Sequence, residues 1–126
     1  MSDTIVTGTD FVMLPTQNFE AAAAFYRDTL GLEHTVSYGM IDGGEFETGN
    51  LTIQIMDTTK LPIDFSPNTN PVALHVDDFA AAKEALASRG VEFLGDDIDS
   101  GVCNMAFFRD PDGNALMIHH RYAPRT

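Results

Sequence analysis

The sequence predicts an α+β fold, in which two βαβββ modules make a curled mixed sheet, a cup, with the helices outside it. Three observations carry that prediction. Near the C-terminus, two apolar runs (residues 102–108 and 115–121) flank Asp110-Pro111-Asp112-Gly113, which has the chemistry of a tight turn. Pro111 presets φ, the two aspartates accept from nearby backbone N–H groups, and Gly113 tolerates a left-handed conformation. A helical segment precedes this hairpin, and an earlier copy of the same order of elements precedes that. Finally, Asn18-Phe19-Glu20-Ala21-Ala22 lies over Asp78-Phe79-Ala80-Ala81-Ala82 at a constant offset of 60 residues.

In chain order, residues 1–8 are a polar lead-in without pattern. Residues 9–14 read as a strand that Pro15 either closes or places at an edge. Asn18 is a good N-cap, Glu20 suits the first turn, and Phe19, Ala22, Ala23 and Tyr26 follow at helical spacing. That helix should end near Leu30, with Gly31 as a left-handed cap. Residues 32–38 read as a strand, Gly43-Gly44 as a turn, residues 45–48 as a short strand, and residues 51–57 as a strongly alternating one. In the second half, residues 71–76 are the strand and Asp78 the N-cap. Phe79, Ala82 and Leu86 form the buried stripe, and Arg89 and Gly90 close the helix. Residues 91–94 then read as a strand, followed by the two hairpin arms.

This order divides the chain into a module of residues 1–57, a linker of residues 58–70 and a module of residues 71–126, all in one compact domain. The linker carries Pro62, Pro67, Asn68 and Asn70, which favour irregular structure. It also carries Leu61, Ile63 and Phe65, which either pack on the core edge or lid a cavity.

Composition narrows the function classes. At 126 residues with 44% hydrophobic and 21% charged side chains, the chain can bury a core without staples. No run approaches the roughly 20 apolar residues that span a bilayer, and the N-terminus has no basic-then-apolar leader pattern. The single cysteine, Cys103, excludes an internal disulfide framework and fits a reducing cytoplasm. A formal net charge of −12 argues against a nucleic-acid partner, which needs clustered Lys and Arg, and favours a neutral or cationic ligand. There is no phosphate-cradling glycine loop, nucleophile elbow or zinc-type Cys/His run.

The duplicated module, with Phe25-Tyr26 on its first helix, Leu30-Gly31-Leu32 after it and Asp110-Pro111-Asp112-Gly113-Asn114 before the last strand, resembles the vicinal oxygen chelate superfamily. That group includes glyoxalase I, extradiol dioxygenases, fosfomycin-resistance enzymes and bleomycin-resistance proteins. The resemblance runs from about Thr9 to Arg121. Its motifs in order are specific for the fold and not for the activity, because one fold carries many chemistries.

In the metal-dependent members, the resemblance implies two ligands per module, one from the first strand and one from the last, facing into the cup. Counted from the shared motifs, those positions fall here at Phe11, Gln54, Pro71 and Met117. Phe11 and Pro71 have no donor atom, Met117 offers a thioether and Gln54 a neutral amide, whereas divalent ions want carboxylate or imidazole in number. No metal and no other cofactor is therefore expected.

By the same resemblance and strand alternation, Phe11, Met13, Gln54, Met56, Cys103, Met105, Phe107 and Met117 face the cup, together with His75 and His119. The apolar members either fill the core or form a Met-rich wall that accepts a ligand. His75 and His119 are the candidate acid–base groups, or, with Cys103 or Gln54, donors of a displaced metal site. Glu45 and Glu47 share a strand face and are the other carboxylates to consider, although a solvated pair is the commoner explanation. Cys103 reads as a small buried hydrophobe, with no basic sequence neighbour to activate it. His34 and His120 are expected on the surface or the outer face.

The expected function is metal-independent binding of a small, largely apolar molecule in the cup, like the bleomycin-resistance proteins. The alternatives are a glyoxalase- or dioxygenase-type enzyme with relocated ligands, or a structural or regulatory module whose cup is filled by its own side chains. A homodimer is expected, both from the family's habit of pairing modules and because a half-sheet leaves edges that need covering.

Overall fold

Each half of the chain builds a four-stranded sheet with one parallel pair, and the reason is its strand–helix–strand opening. A strand followed by a crossover helix returns parallel, whereas tight turns return antiparallel. In this computed structural model, which describes residues 4–124, the first half comprises β1 (Phe11–Thr16), α1 (Phe19–Ala24), β2 (Glu33–Ser37), β3 (Gly43–Glu47) and β4 (Thr52–Asp57). The second half repeats the plan as β5 (Val72–His75), α2 (Phe79–Ser88), β6 (Leu94–Asp99), β7 (Cys103–Arg109) and β8 (Ala115–Arg121). Strand order is β1-β4-β3-β2 in one sheet and β5-β8-β7-β6 in the other, so the two halves match strand for strand. The expected α+β arrangement of two βαβββ modules is the one the chain adopts. The sheets remain two, however, and neither closes or curls strongly into a single deep cup. The start of the polar lead-in and the last two residues of the second module lie outside the described residues.

The helix caps are those the sequence indicates. Asn18 Oδ1 accepts from Ala21 N at 3.1 Å and Asp78 Oδ1 from Ala81 N at 3.0 Å. Gly90, at φ 93°, ends α2 while Val91 N bonds Leu86 O at 3.0 Å, the geometry of a Schellman cap. The first helix differs in one respect. It continues as a π-helical turn, Phe25–Thr29, in which Leu30 N bonds Phe25 O at 2.9 Å, before Gly31 turns the chain at φ 76°. The wider turn absorbs one residue. Consequently the caps Asn18 and Asp78 stand 60 positions apart, while Gly31 and Gly90 stand 59 apart.

Pro15 lies inside β1 at the sheet edge, the second of its two expected outcomes, where no outward N–H is needed. Two expected boundaries shift. Gly43 and Gly44 open β3 where the sequence indicated a turn, pairing with Met56 and Ile55. A Cβ at Gly44 would stand 2.6 Å from the Val36 carbonyl oxygen and 2.7 Å from His34 Nε2, so glycine here serves close backbone approach and not a turn. In the second half, the strand expected at residues 91–94 forms as Leu94–Asp99. Its Gly95-Asp96-Asp97 reads as loop chemistry, yet at an exposed sheet edge those charges are tolerated and discourage pairing with another chain.

One apolar core spans both modules. Leu14, Ala22, Ala23, Tyr26, Phe46, Ile53 and Ile55 come from the first, and Leu86, Ala106, Phe108, Leu116 and Ile118 from the second. Every strand residue in that set lies on the helix-facing side of its sheet. Where the modules meet, the Tyr26 hydroxyl donates to buried Asp110 Oδ2 at 2.7 Å, and Asn114 Nδ2 donates to the same oxygen at 2.8 Å and to Pro15 O at 2.9 Å. Asp110 Oδ1 accepts from the backbone N–H of Asp112 and Asn114 at 2.9 and 2.8 Å. Burial pushes the Asp110 carboxyl above the usual range, against the pull of these donors, and burial beside Asp110 pushes the Tyr26 hydroxyl up. The linker joins this node, since Asn68 N donates to Asn114 Oδ1 at 2.8 Å and Ala115 N to Asn68 O at 2.8 Å.

Tyr26→Phe keeps the packed ring and removes only the hydroxyl. It should lower stability by about 1.5–3 kcal/mol, the range for a hydrogen bond to a charged group, read as a lower urea midpoint at unchanged slope.

Candidate functional site

Strand alternation leaves a second face on each sheet, pointing away from the helices. On the first sheet it carries Phe11 and Met13 from β1, Gln54 and Met56 from β4, and Glu45 and Glu47 from β3. Met13 pairs with Gln54, and Gln54 with Glu45, across adjacent strands. On the second sheet it carries His75, Cys103, Met105, Phe107, Met117 and His119, with Phe107 opposite Met117, Met105 opposite His119, and His75 beside His119. The sequence-predicted residues thus fall on two faces, one per sheet. Phe11 and Met13 are 50% and 40% exposed, and Met56, Met105, Phe107 and Met117 are half-buried. Cys103 is buried, with Arg121 Nη1 at 3.9 Å from its Sγ. His75 is exposed, and its Nε2 lies 2.9 Å from Asp77 Oδ1. His34 stacks on Phe46 on the helix side, the outer face of its sheet, with ring centroids 4.5 Å apart.

Polar geometry concentrates on the first sheet. Tyr38, just beyond β2, donates its hydroxyl proton to Glu45 Oε2 and accepts from Gln54 Nε2 at 2.9 Å. Partial burial and the Glu45 carboxylate both push the Tyr38 hydroxyl above its ordinary pKa, so it keeps its proton at neutral pH. Thr52 Oγ1 lies 2.8 and 2.9 Å from the two carboxylate oxygens of Glu47. Glu45 and Glu47 are therefore half-buried, hydrogen-bonded carboxylates where a solvated pair was the bland expectation.

Tyr38 escaped the sequence reading for a definite reason. Uninterrupted alternation along β2 would place Tyr38 with His34 on the helix side. A register shift between His34 and Val36 brings Val36 opposite Glu45 and turns the following residues over. Nothing in His34-Thr35-Val36 announces that bulge.

A cavity of about 490 Å³, open to solvent, is lined by Ser37, Tyr38, Gly39, Met40, Ile41, Gln54 and Met56. It reaches the first-sheet wall and takes in none of Met105, Phe107 or Met117. A larger cleft of about 580 Å³ lies on the helix side, among Asn18, Glu20, Arg27, His34, Asp42 and Asp57. Its charged groups are largely engaged elsewhere: Arg27 with Asp28, Asp42 with Lys60, and Asp57 capping Thr59. The cup-face cavity is the better candidate.

Neither donor set fits a resident divalent ion. Phe11, Gln54, Pro71 and Met117 provide no imidazole or carboxylate, and among the described residues no three His, Cys, Asp or Glu side chains are grouped to hold a metal.

Paired βαβββ modules with an open face on each sheet define a class of proteins that place diverse ligands and reactions on one scaffold. The model of the Glyoxalase/Bleomycin resistance protein/Dioxygenase superfamily matches residues 8–118, and the chain belongs to that superfamily. No curated protein matches the chain. Among solved structures it is similar to a glyoxalase family protein from Bacillus anthracis, with 24% identity and a TM-score of 0.80 over 95% of this chain and 99% of that one. It is also similar to TnmS3, an antibiotic-binding protein from a Streptomyces species, at 21% identity, TM-score 0.78, and 94% and 99% coverage. A third is the fosfomycin resistance protein FosX from Listeria monocytogenes, at 19% identity, TM-score 0.77, and 93% coverage of both chains. At these identities the likeness establishes the fold.

Proposed function

We propose that this protein binds a small, substantially apolar molecule on the cup face, without a metal, in the manner of the bleomycin-resistance branch of its superfamily. One observation carries the reading. Phe11, Met13, Met56, Met105, Phe107 and Met117 had two possible fates, core filling or a ligand wall, and all six lie on the side of their sheet away from the helices and the core. Methionine and phenylalanine on an accessible sheet face cost solvation free energy unless something covers them, and thioethers adapt to varied shapes. Such a wall contributes affinity in proportion to buried area, about 25 cal/mol per Å², but little orientation. Orientation then falls to Gln54, which has both donor and acceptor, with His75 and His119 as polar anchors on the second sheet.

Further parts of the proposal rest on composition and edges. The net charge of −12 speaks against a nucleic-acid partner, and a single thiol suits the cytoplasm. The edge strands other than the charged β6 are left uncovered by another strand, which supports a homodimer.

Gln54→Ala should weaken or relax ligand choice by about 0.5–1.5 kcal/mol, the worth of a neutral hydrogen bond, while the fold remains. A thermal-shift ligand screen run on both proteins checks this, and an unaltered ligand profile would count against Gln54 as the orienting group. Elemental analysis of the purified protein should find no stoichiometric transition metal; one tightly held Zn, Ni, Fe or Mn per chain would overturn the metal-independent reading. Sedimentation at tens of micromolar should return the dimer mass, since assembly follows concentration, and a monomer mass would remove that part of the proposal.

A further inference from the structure

We infer that the molecule held at the Tyr38–Gln54–Met56 cavity is an organic cation, an ammonium or amidinium group on an apolar body, with Glu45 and Gln54 receiving its charged donor. The inference rests on the binding reading above and narrows it to a chemical class.

The argument is a count of protons at the cavity. A tyrosine hydroxyl has one proton, and Tyr38 gives it to Glu45 Oε2. Toward Gln54 the Tyr38 oxygen is then an acceptor only, so the amide must present its NH₂ there, as the 2.9 Å bond from Nε2 has it. That orients Oε1 of Gln54 away from Tyr38. Ser37 Oγ, the other polar side-chain atom of the lining, is engaged with His34 Nε2 at 3.0 Å. The polar atoms left for a ligand are then Gln54 Oε1 and the second Gln54 N–H, from the lining, and Glu45 Oε1, which is tied to the lining through Tyr38 and is not itself part of it. Two of the three are acceptors, and one bears full charge, so a ligand's polar group satisfies them best as a multiple donor with positive charge.

The surrounding face has the same sign. Glu47 receives the one hydroxyl proton Thr52 has to give, and Glu33 lies directly opposite Glu47 across the β2–β3 pair. Like charges directly opposite on a sheet are unfavourable. None of β1 to β4 contains a Lys or Arg, so no side chain of this sheet offsets them. Because the carboxylates are spread along strands and are not grouped for a metal among the described residues, an extended organic cation suits them better than an ion. Met40, Ile41 and Met56 supply the apolar side of the cavity, against which a ring or chain can lie.

Three probes that share one skeleton test this: naphthylmethylammonium, the neutral naphthylmethanol, and the anionic naphthoate, each titrated into the whole protein at low salt. The ammonium should bind about tenfold more tightly than naphthoate, with the alcohol between them, as a charge-assisted bond requires. Glu45→Gln should reduce the ammonium to the level of the alcohol and leave the alcohol within about twofold, since the amide oxygen still accepts from Tyr38 and its NH₂ can donate to the alcohol oxygen but not to an ammonium. A second measurement needs no variant. Raising ionic strength from about 0.01 to 1 M shortens the screening length from roughly 30 to 3 Å and should erase the ammonium's advantage while sparing the alcohol. Equal binding of all three, or a preference for naphthoate, would overturn the cation assignment and leave apolar binding intact. No binding of any probe at millimolar concentration would overturn the binding reading and this inference with it.

Discussion

The buried carboxylate of Asp110 is the constraint on which the rest of the structure depends. Placing a carboxylate in a protein interior costs several kcal/mol unless its oxygens are satisfied. Here four donors converge on them: the Tyr26 hydroxyl, the Asn114 side-chain amide and the backbone N–H groups of Asp112 and Asn114. Tyr26 comes from the first helix, and the other three from the turn that carries Asp110. Asn114 also holds the Pro15 carbonyl of β1 and the Asn68 N–H of the linker. One polar node therefore sets the first helix, the first strand, the linker and the last hairpin relative to one another. The π-helical turn at Phe25–Thr29 belongs to this arrangement, since Tyr26 sits inside it and its extra residue shifts the remainder of the helix by one position.

Around that node, apolar burial is concentrated on one side of each sheet, with Cys103 the buried exception on the other face. The alternation along β1, β4, β7 and β8 is strict: Leu14, Ile53, Ile55, Ala106, Phe108, Leu116 and Ile118 enter the common core. Their neighbours Met13, Gln54, Met56, Met105, Phe107 and Met117 point the other way. Strand geometry leaves no intermediate choice, because a residue whose neighbours are in the core must face the opposite surface. A packed core and an accessible methionine-rich face are thus two consequences of one period-two pattern. The same chain can be well packed on the helix side and open where a ligand would rest.

The polar chain Glu45–Tyr38–Gln54 gives that open face a direction. A glutamine alone can turn its amide either way at little cost. Tied to a tyrosine whose proton is committed to a carboxylate, it has one preferred orientation, and the face acquires a defined set of acceptors. The net charge of the whole chain and the local sign of this sheet agree, so long-range attraction and short-range hydrogen bonding would select the same ligand charge.

Much of this was legible in the sequence, because the relevant signals are local. Caps at Asn18 and Asp78, glycines at Gly31 and Gly90, the Asp110–Gly113 turn chemistry and the alternation of β4 and β8 each depend on residues within a few positions. Together they determined the duplicated modules, and with them which side chains share a face. What the tertiary structure decided depends on contacts between distant segments. The partnership of Tyr26 with Asp110 spans 84 positions, and neither residue signals the other. That Gly43 and Gly44 belong to a strand follows from how closely the neighbouring chain passes, a distance no local pattern encodes. The bulge between His34 and Val36 reverses the face of Tyr38, and a one-residue change of register is set by pairing across the sheet and not by the residues that shift. For that reason the sheet face that Gln54 and Met56 share could be read from the sequence, while the approach of Tyr38, which fixes the Gln54 amide, could not.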